Sequence, residues 1–414
     1  MRVLFIHQNF PGQFRSVAGA LMADGTDVAV ITDAQNKRPL KGPVVARYQF
    51  TPKGPEGLTA AAATVLQRFQ RGESAAKAML ALRQRGFVPD VIIGHPGWGE
   101  MLLANAVYPK SRIIAHAEFY YSAEGADVGF DPEFLDVTDE LRMRLAAKNM
   151  PLLSALADCS QAVSPTHWQA SRCPPEFAGK IRIIHEGIRT DTVRPDPKAS
   201  FEVPGGNHTF RAGDELITFV NRNLEPMRGF HVFLRTLPEI LKARPNAHVV
   251  IVGADGVSYG SAPPPGRTWK GIYLAEVGDK LPRNRVHFVG QIPYAQFIAL
   301  MQVSRLHIYA TYPFVLSWSM LEAMSAEALV LGSATPPVAE IIEHGVNGLL
   351  YDFFDTKTLA EQAIAALAEP QKYEHLRKAA RQTIVERYDM AKVCLPAWLQ
   401  VIRDVEAMPP PSAR

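Results

Sequence analysis

A chain of 414 residues, 47% hydrophobic and 21% charged, is too long for one ordinary core and has the composition of a folded protein of two domains. A formal charge of +3 at pH 7 argues against a dedicated nucleic-acid binder, although local basic patches are compatible with it. Cys159, Cys173 and Cys394 are too few and too scattered for a zinc site or a disulfide framework, and no apolar run approaches a membrane span, so the expected location is the reducing cytoplasm.

"RVLFIHQ" reads as a first strand, because the start is too short and too soon interrupted for a signal peptide. A turn with Pro11 and Gly12 leads into "GQFRSVAGALMADG", where Phe14, Val17, Ala18 and Leu21 recur at helical spacing and Gly25 closes the segment. "DVAVITD", "PDVIIGHPG", "SRIIAHAEF", "ADCSQAVSPTHW" and "KIRIIHEGI" continue the strands. Near-continuous apolar strands between helices predict a parallel sheet covered on both faces. The Pro- and Gly-rich run at 196–215 is read as a linker, dividing a domain at 1–195 from a second at 216–389. That second half contributes "LITFVNR", a helix around "GFHVFLRTLPEILKARP", then "AHVVIVG", "RVHFVGQ", "RLHIYAT", "ALVLGSA" and "GLLYD". An excursion at 257–271, "VSYGSAPPPGRTWKG", is too long for a simple turn and marks a functional or mobile segment. Residues 390–414 close the chain with one more helix and a tail.

Two doubly wound parallel sheets place ligands at the carboxyl ends of their strands, and two such domains facing across a cleft share one site. Oxidoreductases, sugar transferases, epimerases and periplasmic binding proteins all fit this outline. The strand-one turn "HQNFPGQF" lacks the GxGxxG dinucleotide fingerprint, and its exposed N–H groups suit an anion or simply form a tight turn. His95, with Trp98 and Glu100, and His116, with Glu118, Tyr120 and Tyr121, stand at strand ends where a site draws its side chains; their spacing gives no metal-ligand set. Arg222 leaves a strand and Arg228 follows at a helix start beside Gly229, as a pyrophosphate clamp requires; the bland reading is two surface arginines paired with Glu225. Glu322 is the lone acid in the apolar run 311–333, just after Ser317 and Ser319. A carboxylate there can accept a ribose diol or merely cap the helix.

Taken in order, these stretches resemble the retaining family 4 glycosyltransferases of the GT-B fold, an α/β architecture of two Rossmann-like domains. "FVNRNLEPMRGFHVFLRTLPEIL" resembles the family's strand–Arg–loop–Lys–Gly–helix segment. "LEAMSAEALVLGS" is similar to its Glu-Ala-Met segment, and "IIHEGIRTDTVRP", with His185, Glu186 and Gly187, to its turn before the linker. The resemblance implies that Arg222 and Arg228 bind the donor pyrophosphate and Glu322 the ribose. It implies Gln291 by the nucleobase, Ser317, Trp318 and Ser319 along the phosphate turn, His116 facing the donor sugar and Gly12 under the reacting centre. His95, Glu118 and Tyr120 are acceptor-side candidates. It also implies that the last helix crosses back onto the first domain, with Trp398 as a contact. The chain departs from the pattern at Phe314, where the family carries the first of two glutamates, and Val315 and Ser317 replace the glycines that follow. Arg228 stands where a lysine is usual.

The function expected is transfer of a sugar from a nucleoside-diphosphate sugar to a hydroxyl acceptor, without metal or other cofactor, in glycan, lipid-linked or small-molecule synthesis. An epimerase on the same fold, a phosphorylase-like enzyme and a non-catalytic nucleotide-sugar-binding protein are the alternatives. Arg68, Arg71, Lys77, Arg83 and Arg85 surround an apolar set in "TVLQRFQRGESAAKAMLALRQRGF", a pattern compatible with peripheral contact with anionic lipid or with a helix packed on its own sheet. Base, sugar, acceptor and oligomeric state have no readable code.

Overall fold

The computed structural model describes residues 1–134, 137–206 and 208–411. The chain forms two compact units: residues 1–129, 137–187 and 390–411 make the first, and 130–134 with 188–389 (Asn207 aside) the second. The change of unit therefore comes at 187/188, and residues 130–134, inside the first half of the sequence, belong to unit 2.

Unit 1 is built on seven parallel strands: β1 Arg2–Ile6, β2 Asp27–Asp33, β3 Val44–Tyr48, β4 Val91–Gly94, β5 Arg112–His116, β6 Gln161–Ser164 and β7 Ile181–Ile183. Their order is β3-β2-β1-β4-β5-β6-β7, with β1 paired to β2 on one side (Leu4 opposite Ala29) and to β4 on the other (Leu4 opposite Ile92). Side-chain alternation divides the apolar strands between two cores. Leu4, Ile6, Ala29, Ile31 and Ile92 meet the helix Ala60–Gln84 through Ala75, Met79 and Leu82. Val3, Phe5, Val28, Val30 and Ile93 meet Val17 and Leu21 of the helix Arg15–Ala23, and Trp398, Val401, Ile402 and Val405 of the helix Leu395–Ala407. The last helix thus covers one face of this sheet. The edge strand β3 escaped the sequence reading because it is half exposed and lacks an apolar run.

Unit 2 opens with an antiparallel hairpin, β8 Ser200–Glu202 and β9 Thr209–Arg211. This corrects the linker expected at 196–215: Phe201, Val203 and Phe210 are buried in the core of the unit, so the described part of this run is packed and is not a tether. Six parallel strands follow, β10 Leu216–Asn223, β11 His248–Ala254, β12 Val286–Gly290, β13 Leu306–Tyr309, β14 Leu329–Ser333 and β15 Leu349–Tyr351, in the order β12-β11-β10-β13-β14-β15. One face carries the helix Phe230–Ala243, whose Phe233 stacks on Phe219 of β10 with ring centroids 4.3 Å apart and planes 7° off parallel. Such a pair adds about 0.5–1.5 kcal/mol beyond its buried area. On the other face Val220, Val250 and Val252 pack with Leu300 and Met301, and with Met320 and Leu321 of the helix Trp318–Ser325.

Both sheets reverse direction of growth at one point, between β1 and β4 in unit 1 and between β10 and β13 in unit 2. Outside the carboxyl ends of those strands each fold has a crevice, and that is where chemistry is to be sought.

Candidate functional site

In unit 2 the switch point is furnished by the segment after β10 and the segment after β13. Gly229 ends the turn before the helix Phe230–Ala243 with φ +67°; a Cβ there would lie 2.2 Å from Cβ of Ala310, so only glycine lets the helix start this close to the end of β13. Arg228, on that turn, is buried, and its Nη1 donates to Thr311 Oγ1 (2.9 Å) and to the Val315 carbonyl (3.0 Å). Arg222 at the end of β10 is exposed. Both guanidinium groups lie over one aromatic ring, that of Tyr259, with Cζ 5.9 Å (Arg222) and 5.5 Å (Arg228) from its centroid. Among the described residues neither arginine is paired with a carboxylate.

Glu225 does not neutralise them. Its carboxylate, 1% exposed, accepts from the backbone N–H groups of Ser258 (3.2 Å), Tyr259 (3.4 Å) and Gly260 (3.0 Å), pinning the start of the excursion. Across from the arginines, Ser317 caps the helix Trp318–Ser325: its N–H donates to the Tyr309 hydroxyl (2.9 Å), and its Oγ accepts from Ser319 N–H (3.4 Å) and lies 2.9 Å from Ser319 Oγ. Glu322, one turn on, is buried; burial raises its pKa, opposed by the hydrogen bond from the Tyr294 hydroxyl at 2.6 Å. Trp318 is half exposed, and Gln291 is exposed just after the edge strand β12. Phe314 is buried with its ring 5.0 Å from Tyr259 and 5.6 Å from Arg228 Cζ, so the position expected to carry an acid carries the wall of an aromatic pair.

Unit 1 sets two imidazoles, His7 and His95, at its switch point, and a third, His185, beyond its edge strand β7. His7, His95 and His185 follow β1, β4 and β7, and each accepts at Nδ1 from the N–H two residues on, from Asn9 (3.0 Å), Gly97 (3.1 Å) and Gly187 (3.0 Å). That bond assigns the proton of the neutral ring to Nε2 in each. Nε2 of His95 lies 3.1 Å from Glu118, whose other oxygen accepts from Gln13 at 2.8 Å. Burial works against ionisation of Glu118, but His95, His116 and Gln13 together hold it down at about 2. Burial, then the neighbouring His95, push His7 down to about 3, so it is neutral at physiological pH. Gly12, at φ +48°, lies against this ring: a Cβ would come within 2.6 Å of His7 Cε1. Gly12→Ala is therefore expected to destabilise unit 1 by about 1–2 kcal/mol through backbone strain alone; a thermal melt unchanged from wild type would refute this placement of the loop.

Two expected site residues sit otherwise. His116, fully buried, packs between Phe14 (5.8 Å) and Trp398 (6.2 Å) with Nε2 3.4 Å from Glu186, which corrects the expectation of a sugar-facing ring: within unit 1 it is a core histidine behind His95. Tyr120, half-buried, packs against the core that the helix Ala60–Gln84 covers. The basic helix is also spent on the fold. Arg68 donates to the Gly97 carbonyl, Arg83 to the Val107 carbonyl, and Arg71 binds Asp33 beside the buried Glu100, leaving Lys77 and Arg85 on the solvent side. No helix among the described residues is long and apolar enough to cross a membrane.

Unit 2 holds a network that the sequence did not announce. Asp131 accepts at one oxygen from both His231 Nε2 (2.9 Å) and the Tyr312 hydroxyl (2.6 Å), while Arg235 grips Glu133 (2.7 and 2.8 Å) and Glu276. Among the described residues Asp131, Glu133 and His231 are the one group with metal-ligand potential, and all three already have protein partners.

Residues 24–193 match the family model described as Glycosyl transferase family 4 group, and residues 206–383 that of Glycosyl transferases group 1; together they span most of the chain. Spore coat protein SA of Bacillus subtilis is 24% identical over 241 residues, 53% of this chain and 58% of that protein, so the alignment spans less than two thirds of that relative. HepE of Anabaena, solved with UDP and glucose, superposes with a TM-score of 0.67 at 16% identity, covering 98% of this chain and 100% of that one. Sucrose-phosphate synthase of Thermosynechococcus elongatus gives 0.74 at 16% identity, covering 98% and 99%. Likenesses at this identity establish the fold, the family matches cover both halves, and the chain belongs to the family 4-like glycosyltransferases of the GT-B fold.

Proposed function

We propose that this chain is a retaining glycosyltransferase that moves a sugar from a nucleoside-diphosphate sugar to a hydroxyl acceptor, with unit 2 as the donor side. The observation that carries the reading is the pair Arg222 and Arg228, unpaired with any described carboxylate, beside the Ser317-capped helix that bears Glu322. Guanidinium groups and a helix N-terminus are donors and positive charge fixed before the ligand arrives. The UDP held by HepE supports a nucleotide at a site of this fold.

In this mechanism the diphosphate leaves as a dianion-bearing group. Arg222 and Arg228 stabilise the charge that develops on it, and Glu322 holds the ribose. A departing phosphate oxygen takes the acceptor's proton on the face the leaving group vacates, so configuration is retained without an enzyme nucleophile. The protein's contribution is electrostatic stabilisation and positioning. Because the two arginines supply the positive charge, the reaction needs neither a metal nor another cofactor. On unit 1, His95 and Glu118 are the acceptor-side pair. Phe314 favours a second reading, a nucleotide-sugar-binding protein without transfer, since an aromatic ring accepts no sugar hydroxyl's hydrogen bond.

The test is release of nucleoside diphosphate from UDP-, GDP- and ADP-sugars, with and without EDTA. Release from one donor that survives EDTA, with affinity lowered about tenfold or more in Glu322→Ala, is the expected result. Binding of a donor without release, even with a wide panel of hydroxyl acceptors, would favour the second reading; no binding at all would end both.

A further inference from the structure

We propose that Tyr259 is the residue by which this site selects a diphosphate over a monophosphate, an assignment that rests on the donor reading above. Two cations sharing one aromatic ring without a carboxylate form an arrangement that is incomplete until an anion arrives. The Tyr259 hydroxyl is 3.5 Å from Arg222 Nη1, at the edge of the space both guanidinium groups border, where it can donate to a phosphoryl oxygen that they chelate. A diphosphate has oxygens enough to engage Arg222, Arg228 and this hydroxyl together, whereas a single phosphoryl group leaves part of the set unused.

The ring packs on Phe314 at 5.0 Å, yet nearly half of the residue stays open to solvent. Tyr259 is 47% exposed, and it reaches the arginines on a strap that the fold fixes from beneath. Glu225 spends its buried carboxylate on three consecutive amides of that strap. Asn223 Nδ2 donates to Ser258 Oγ (2.7 Å), and the Trp269 indole to the Ser261 carbonyl (3.0 Å). A Cβ at Gly260 would stand 3.1 Å from Glu225 Oε2, a tight approach of the strap to the carboxylate that holds it. A buried acid given over to holding a half-exposed tyrosine against two unpaired cations assigns the excursion its purpose: it carries the third ligand of the donor's diphosphate.

Calorimetry on the full chain with UDP and UMP, GDP and GMP, and ADP and AMP tests this. Tyr259→Phe keeps the ring and removes only the hydroxyl. It is expected to weaken the preferred diphosphate about tenfold while leaving the matching monophosphate within about twofold, so the ratio of the two affinities collapses. Glu225→Ala, which frees the strap, is expected to collapse the same ratio. Wild-type affinity for both ligands in Tyr259→Phe, or an equal loss for both, would overturn the assignment while leaving the donor site standing. Failure of the wild type to bind any of the diphosphates would remove the donor reading and this one with it.

Discussion

Replacement of Arg228 by alanine is expected to slow sugar transfer about a hundred- to a thousandfold, the loss typical when a preorganised donor to a developing oxyanion is removed. Arg228 is the better placed of the two arginines because it is buried and braced: Thr311 and the Val315 carbonyl fix its Nη1, so the charge needs no reorganisation when the leaving group forms. Removing it also leaves the Val315 carbonyl without that donor, at a stability cost of about 1–3 kcal/mol, which unit 2 should survive. Arg228→Lys separates charge from geometry. It keeps the cation but not the planar fork, and should recover part of the activity and little of the ion-pair precision. Steady-state rates on the preferred donor, with circular dichroism as the fold control, check both variants. Unchanged turnover in Arg228→Ala would defeat the clamp assignment.

Asp131→Ala is expected to cost unit 2 about 3–5 kcal/mol, the largest stability effect anticipated for a polar side chain here. One carboxylate oxygen serves the buried His231 and the buried Tyr312, and both lose their partner together. The pH dependence follows from the same contacts. Burial disfavours the ionised carboxyl, but the hydrogen bonds from His231 and Tyr312 more than offset this and hold its pKa below the ordinary 3.8. A carboxyl lowered on folding contributes stability that is present above its unfolded pKa and is lost as pH falls through the folded value. Wild type and Asp131→Ala should therefore differ most near neutrality and converge below about pH 4. Urea midpoints across that range, followed by a signal from unit 2, provide the check; a gap that widened with acid would contradict the assignment.

The strands of both sheets, apart from β3 and the hairpin, were legible because buried parallel strands are apolar runs and runs survive without knowledge of their neighbours. Arg222, Arg228 and Glu322 are candidates for a related reason: each stands out chemically against its own local stretch. What escaped was non-local. Asp131 meets His231 across a hundred residues of chain, and nothing in "FDPEF" marks it as part of unit 2. Phe201 and Phe210 are too few to make the hairpin visible amid prolines and glycines. The bland alternative for Glu225, a pairing with the nearest arginines, fails because three amides of a segment more than thirty residues away claim it. Arg68, Arg71 and Arg83 are spent on carbonyls and a carboxylate from distant parts of the chain, which a local pattern of charges cannot show.

A donor site on unit 2 that works without metal is the core of the proposed function. Its most direct test is titration of the wild-type chain with UDP, GDP and ADP by calorimetry, first in EDTA and then with Mg²⁺. One diphosphate is expected to bind with the same affinity in both conditions, and that affinity is expected to fall in Arg228→Ala. Binding that appears only with Mg²⁺ would contradict the claim that Arg222 and Arg228 supply the positive charge. Binding of none would contradict the donor site itself.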